Sequence, residues 1–190
     1  FLAAAGEVTI TIHGKGGHAA QTVAPYYPRI VEALIRAIWF RPRIPAGKAR
    51  RLRFIERIFG RRRIRVLTRP GFLFACNQMD WLQRNLLCNR IHEQEVTDHL
   101  AAAFVGDDIF FDIGANAGYF SCLALSCGVR GVTAFEPDPD TCNVMDAQRR
   151  LNGWDDTALS IVPMGLSDES GHQQLIRGSD SGESGFGDWP

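Results

Sequence analysis

The sequence predicts an α/β fold built around a parallel sheet. Three apolar runs of strand length, residues 109–113, 132–135 and 159–162, are separated by two helix-like segments. Unbroken apolar strands that alternate with helices are typical of a parallel sheet covered on both faces. A glycine-rich turn directly after the first of these strands supports the same class, because such turns join strands to helices at ligand sites.

The N-terminal third predicts a short strand and two helices. Residues 8–12 alternate valine or isoleucine with threonine, which is the period of a strand. Apolar residues at helical spacing between Pro28 and Pro42 predict an amphipathic helix, and residues 48–59 predict a second helix with a basic face.

A hairpin and two helices are expected next. Residues 64–67 and 72–76 flank Thr68-Arg69-Pro70-Gly71, and proline followed by glycine suits the two central positions of a type II turn. Helical patterns follow at residues 80–87 and 93–104.

The C-terminal half supplies the predicted sheet and its helices. Residues 119–127 predict an apolar helix that ends at Gly128, and residues 141–151 predict a helix capped by Asp140. The tail, residues 178–190, is rich in glycine, serine and aspartate and predicts a loop.

Charge divides the chain into two parts, although its 21 basic and 21 acidic residues cancel. From Arg29 to Arg69 there are 14 basic residues against two acidic ones, and from Asp107 onward 14 acidic against four basic ones. Such asymmetry indicates segments with different roles. A 45% apolar fraction excludes a disordered chain, and no apolar run reaches the roughly 18 residues of a membrane span.

Five cysteines without a Cys-x-x-Cys pair favour reduced thiols, a cytoplasmic location and the absence of a metal site.

The stretch from Asp112 to Tyr119 is the strongest functional pattern. Gly114 and Gly118 allow a ligand to approach the backbone, and the helix N-terminus behind them offers unpaired N–H groups. Glu136 closes the second strand, 22 residues after Gly114. In dinucleotide folds an acid about 20 residues downstream binds the ribose hydroxyls. The sequence therefore predicts an adenosine-ligand site at the carboxyl edge of the sheet.

Two residues of this stretch restrict the choice among possible adenosine ligands. The dinucleotide fingerprint needs a glycine where Asn116 stands, which disfavours NAD and FAD. Asp112 would repel a pyrophosphate, whereas it suits a ligand that has an ammonium and a sulfonium. S-adenosylmethionine has both groups and is the predicted cofactor.

Four blocks, residues 110–120, 134–139, 152–153 and 165–168, resemble those of FkbM-type S-adenosylmethionine-dependent methyltransferases. The resemblance covers roughly residues 64–175 and implies a class I, Rossmann-like methyltransferase fold. It also implies methyl transfer to an oxygen of a sugar or natural product.

The resemblance assigns roles to individual residues. The methionine end of the cofactor would be lined by Asp112, Gly114, Ala115, Asn116, Gly118 and Tyr119; the ribose would be held by Glu136 beside Pro137; Gly165 and Leu166 would pass near the adenine. No residue is assigned as the catalytic base.

Two departures from the family affect the predicted domain organisation. The family's Lys-x-Asp-x-Glu-Gly type block does not follow Asp168, so we expect a fragment with the front half of the sheet and no turnover alone. We predict a basic helical appendage at residues 1–63, a lead-in at 64–106 and the incomplete cofactor domain at 107–190.

The second departure concerns residues 14–20. They are similar to the lid or dimerisation segment of M20-type metallopeptidases, in which the matching His18 would reach a metal site in a neighbouring subunit. A real relationship would indicate a foreign origin for residues 1–63, through fusion or misassembly of a gene, whereas the alternative is a chance glycine-rich loop.

Two functions stay open at this stage. The first is a methyltransferase that acts on a small-molecule or saccharide acceptor. The second is an adenosine-ligand binding or interaction module without turnover, whose basic helix docks on an acidic partner or a membrane surface. The aromatic content of the basic stretch is too low to favour nucleic acid.

Overall fold

The computed structural model describes residues 6–13, 26–40, 54–58, 62–77, 80–168, 170–176 and 185–186. The strands are β1 Gly6–His13, β2 Ile64–Leu67, β3 Leu73–Cys76, β4 Ile109–Ile113, β5 Gly131–Phe135, β6 Leu159–Val162, β7 Gly165–Ser167, β8 Gly171–Ile176 and β9 Gly185–Phe186. The helices are α1 Arg29–Phe40, α2 Trp81–Asn89, α3 Gln94–Ala103, α4 Tyr119–Ser126 and α5 Pro139–Leu151. Residues 54–58 are also helical and lie within the predicted second helix.

The predicted parallel sheet is present and confirms the α/β class. Strands β4, β5 and β6 lie side by side in chain order and run parallel. Ile113 pairs with Phe135, and Phe135 pairs with Val162. The carboxyl ends of the three strands therefore meet at one edge, and Gly114 and Glu136 directly follow two of these ends.

One face of this sheet is covered and the other is open in the part of the chain described. Leu159, Val132 and Ala134 are buried in one cluster with Ala124 of α4 and Met145 of α5. On β4, by contrast, Ile109, Phe111 and Ile113 are exposed, Phe111 to 59%. The expectation of a sheet covered on both faces is therefore met on one face only.

A second sheet joins the two ends of the described chain. Its order is β7-β1-β8-β9, with β1 parallel to β8 and antiparallel to β7. The predicted strand at residues 8–12 is confirmed, and the tail that was expected to be a loop contains β9. The three-part domain division stays a prediction. Residues 14–25, with the segment similar to the M20 type and His18, lie outside the described residues.

The basic segment uses several of its arginines within the fold. Arg65 pairs with the buried Glu32 of α1 at 3.0 Å, and the Arg36 guanidinium donates to the main-chain oxygen of Arg65. Arg63 donates to the main-chain oxygen of Ala75 at 3.4 Å. The first two contacts join α1 to the predicted hairpin, which is present as β2 and β3, and the third joins the start of β2 to β3.

The hairpin is attached to α5 by two side-chain amides. Gln148 accepts from the main-chain N–H of Ala75 at 2.7 Å and donates to its oxygen at 3.1 Å. Asn152 makes the same pair of bonds with Leu73, both at 2.8 Å. Because the amides replace a neighbouring strand along β3, they fix the hairpin beside the parallel sheet.

The helix after β5 begins earlier than predicted. Its N-cap is Asp138, whose carboxylate accepts from the Asp140 N–H at 2.9 Å, so the predicted Asp140 cap is wrong. Pro139 explains the difference, because proline suits the first position of a helix. Among the helices described, none combines the length and apolarity that a membrane span requires.

Candidate functional site

The loop between β4 and α4 is held against the end of β5. The N–H groups of Gly114 and Ala115 both donate to the oxygen of Phe135, at 2.9 and 3.0 Å. Gly114 has φ of 74° and open space where a Cβ would lie. This open space leaves the backbone at Gly114 accessible to a ligand.

Gly118 is required by packing as well as by conformation. Its φ is 81°, and a Cβ there would lie 2.6 Å from Cγ of the buried Met145. Its role is therefore to let α4 pack closely on α5, and this does not depend on a ligand.

Glu136 joins the loop to the start of α5. One carboxylate oxygen accepts from the Asn116 N–H and the other from the Asp138 N–H, each at 2.9 Å. Burial raises the pKa of the Glu136 carboxyl, while these hydrogen bonds act in the opposite direction. Each carboxylate oxygen keeps a further lone pair, so the group can still accept from ligand hydroxyls.

Asp112 lies at the end of β4 and is only 8% exposed. The Ser121 hydroxyl on α4 donates to its carboxylate at 2.5 Å. Burial raises the pKa of Asp112, although the hydrogen bonds from Ser121 lower it. Within the described ranges neither Asp112 nor Glu136 forms an ion pair with a basic side chain. Buried carboxylates without a cation create a site that favours a positively charged ligand.

A cavity of about 220 Å³ lies between this loop and the hairpin-and-helix region before it. From the loop it is lined by Asp112, Gly114, Ala115, Asn116, Ala117, Tyr119 and Phe120, and from the preceding region by Phe74, Gln83, Leu86, His92 and Glu93. The side-chain oxygen of Asn116 is buried and has no hydrogen-bond partner. A ligand that donates a hydrogen bond would satisfy it.

The remaining predicted residues lie in three different places. Tyr119 lines the cavity, where its ring packs edge-on against Phe72 and His92 at 5.3 Å. Pro137 stands between Glu136 and the Asp138 cap. Gly165 and Leu166 lie in β7, where they pair with β1, and they do not line the cavity. The structure therefore brings the loop residues and Glu136 together without Gly165 and Leu166.

Sequence reasoning missed the wall opposite the glycine-rich loop. His92 lines the cavity, and burial lowers the pKa of its imidazole. Glu93 beside it has φ of 40°. In the described part of the chain three non-glycine residues have positive φ, namely Arg90, Glu93 and Asn116, and the last two line this cavity. Backbone strain of this kind concentrates at functional sites.

Among the residues that were missed, only Ser121 could have been predicted from the sequence. Ser121 is a serine in the first turn of the apolar helix α4, nine residues after Asp112, and it is fully buried. A buried serine needs a hydrogen-bond partner, which predicts a polar neighbour such as Asp112. The strained conformation of Glu93 has no such trace, because arginine and glutamate do not favour positive φ.

The fold is similar to two solved structures at low identity. The first, P. horikoshii TYW2 in complex with MeSAdo, is 17% identical over 66% of this chain and 50% of that chain, with a TM-score of 0.43. The second, M. jannaschii tRNA m1G37 methyltransferase, is 12% identical over 87% of this chain and 48% of that chain, with a TM-score of 0.38. The chain thus spans about half the length of either structure. No family model and no curated protein matches it.

Proposed function

We propose that the chain binds S-adenosylmethionine and is the cofactor-binding part of a methyltransferase for a hydroxyl of a sugar or natural product. The observation that supports this most directly is the pair of buried carboxyls, Asp112 and Glu136, on the two sides of the glycine-rich loop. S-adenosylmethionine has an ammonium, a sulfonium and two ribose hydroxyls. Each of these groups is a suitable partner for a buried carboxylate.

The size of the cavity fits one end of this ligand. About 220 Å³ is below the roughly 300–1,000 Å³ of sites that enclose a whole drug-sized ligand. The amino-acid end would therefore enter the cavity beside Asp112 and Asn116, and the ribose would meet Glu136 at the sheet edge. A dinucleotide fits less well, because its pyrophosphate would approach two buried acids.

The resemblance of residues 110–120 and 134–139 to FkbM-type methyltransferases supports the same proposal. When bound, S-adenosylmethionine supplies a methyl group on a positively charged sulfur, which is already a good leaving group. The residues of the chain then need chiefly to bind, orient and exclude water. The five free thiols are consistent with the cytoplasmic location that forms part of the proposal.

The alternative function, an interaction module that docks through the basic segment, receives no support from three of its arginines. Arg36, Arg63 and Arg65 bind main-chain oxygens or Glu32 inside the fold. Their charges are therefore used within the fold, those of Arg36 and Arg65 between α1 and the hairpin and that of Arg63 within the hairpin region.

Isothermal titration calorimetry of the chain with S-adenosylmethionine and with NAD tests the proposal. We expect S-adenosylmethionine to bind and NAD not to bind. Asp112→Asn and Glu136→Gln should each weaken binding tenfold or more, because a hydrogen bond to a charged group contributes about 1.5–3 kcal/mol. Glu136→Gln keeps one acceptor for the loop, so its fold should be retained.

Asp107→Asn is the matched control, since this exposed acid precedes the opposite end of β4. Its affinity should equal that of the parent chain. The proposal is wrong if neither compound binds, if NAD binds more tightly, or if both site variants bind like the control.

A further inference from the structure

A second cavity adjoins the first one. Its volume is about 510 Å³, and His92 and Glu93 line both cavities. The rest of its lining consists of Arg69, Asn85, Asn89, Ile91 and Gln94. A molecule in the second cavity would therefore lie against the same two residues that close the proposed cofactor cavity.

The lining of this second cavity is polar and has free hydrogen-bonding capacity. Among the described residues, the side chains of Arg69, Asn85, Asn89 and Gln94 take part in no hydrogen bond or ion pair with one another or with the rest of the fold. An amide can both donate and accept, as a hydroxyl can, whereas a guanidinium only donates. Three amides and one guanidinium match a ligand with several hydroxyl groups.

The wall shared by the two cavities is held in place by hydrogen bonds with the hairpin and with α3. The Arg69 N–H donates to the oxygen of Arg90 at 2.7 Å, and the Arg90 side chain donates to the oxygen of Leu67 at 2.7 Å. The Thr97 hydroxyl donates to the oxygen of His92 at 2.5 Å. The hairpin and α3 therefore hold residues 90–93 in place, with Arg90 and Glu93 at positive φ.

We propose that the second cavity is the acceptor subsite and that it binds a polyhydroxylated molecule such as a sugar. His92 and Glu93 position one acceptor hydroxyl at the boundary with the cofactor cavity. This inference rests on the proposed function, because an acceptor subsite has a role only beside a cofactor. Ile91 is the single aliphatic side chain in the lining, which makes an apolar acceptor a poor match.

Saturation-transfer NMR with the methyl glycosides of glucose, galactose, mannose and rhamnose tests this inference. Cyclohexanol, a ring of similar size with one hydroxyl, is the comparison ligand. We expect at least one glycoside to bind and cyclohexanol not to bind. Arg69→Leu and Asn89→Leu should each weaken glycoside binding at least fivefold, because each removes free hydrogen-bonding groups from the lining.

Asn143→Leu, an equivalent change at an exposed position of α5, should leave glycoside binding unchanged. All three variants should keep their affinity for S-adenosylmethionine and their melting temperature. The inference is overturned if no glycoside binds, if cyclohexanol binds equally well, or if the Arg69 and Asn89 variants bind like the control. A chain that binds S-adenosylmethionine but no glycoside contradicts the subsite alone, and a chain that does not bind S-adenosylmethionine contradicts the proposed function.

Discussion

Two loops face each other across the smaller cavity, and they reach their shapes by different means. Loop 114–118 uses glycine at two of its three positive-φ positions, whereas loop 90–93 places Arg90 and Glu93 at φ of 60° and 40°. A left-handed conformation costs a non-glycine residue on the order of 1–2 kcal/mol. The first loop is therefore relaxed, and the second is held against its own preference by its surroundings.

The supports of the two loops explain how both shapes persist. Loop 114–118 is bonded to Phe135 and Glu136 at the end of the parallel sheet. Loop 90–93 is bonded to the hairpin through Arg69 and to α3 through Thr97. One wall of the cavity is therefore built by the sheet, while the other depends on how the hairpin is attached to α5.

The largest effect on stability is expected from Gly118→Ala, which introduces strain into the relaxed loop 114–118. The new Cβ would lie 2.6 Å from Met145 Cγ at a φ of 81°, so strain and overpacking add. We expect the free energy of unfolding in urea to fall by about 2–4 kcal/mol. Gly114→Ala is the control, because its Cβ meets nothing within 4 Å and only the conformational cost of about 1–2 kcal/mol applies. Equal losses in the two variants would show that the Met145 contact is unimportant.

The next effect concerns the attachment of the strained loop. Gln148→Leu leaves the N–H of the buried Ala75 without its partner and leaves the Ala75 oxygen with only the longer bond from Arg63, which should cost about 1–3 kcal/mol in urea unfolding. It should also weaken glycoside binding, because the hairpin supports loop 90–93. Asn143→Leu on the exposed face of α5 should change neither quantity. If glycoside binding were unchanged although stability fell, loop 90–93 would not depend on the attachment of the hairpin to α5.

A smaller effect, of opposite sign, is expected from relaxing the strained loop. Glu93→Gly removes the cost of φ 40°, so the free energy of unfolding should rise by about 0.5–1 kcal/mol. The same replacement two residues later, Glu95→Gly in the first turn of α3, should lower it by about 0.5–1 kcal/mol. Glycoside binding should weaken in Glu93→Gly alone. A loss of stability in both variants would mean that Glu93 is not strained.

The difference between the loops also decides what could be predicted from the sequence. Loop 114–118 and its acids were found because glycine and a strand-end carboxylate leave a local pattern. Loop 90–93 was missed, since nothing in an arginine or a glutamate indicates positive φ; its shape comes from tertiary bonds. The pairing of β1 with β8 was missed for a similar reason, because contacts between distant segments leave no local period.

The hairpin and the parallel strands were predicted correctly because their periods and turn residues are local features. The predicted cap, Asp140, lies two residues after the observed cap, Asp138. The two aspartates are chemically alike, and only Pro139 between them indicates which one is the cap.

The smallest expected effect is that the two loops respond to pH in opposite directions. Burial raises the pKa of Asp112 in the folded chain, so its ionised form destabilises the fold, and this cost disappears as pH falls through the raised pKa toward about 3.9. Burial lowers the pKa of His92, so stability from the neutral imidazole is lost as pH falls below about 6.5.

Melting temperatures of the unliganded chain between pH 4 and pH 7.5 should separate the two contributions. Asp112→Asn should raise the melting temperature relative to the parent most at neutral pH, where the parent has the destabilising ionised Asp112. The difference should shrink on acidification, because protonation of Asp112 removes that cost from the parent. The melting temperature of His92→Gln should instead rise relative to that of the parent as pH falls, because only the parent has the buried imidazole. Affinity for S-adenosylmethionine should meanwhile decline on acidification, since protonated Asp112 and Glu136 no longer attract a cation. If both variants changed with pH in the same direction, the two walls of the cavity would not differ electrostatically, and the assignment of a cationic ligand to the wall that contains Asp112 would lose its basis.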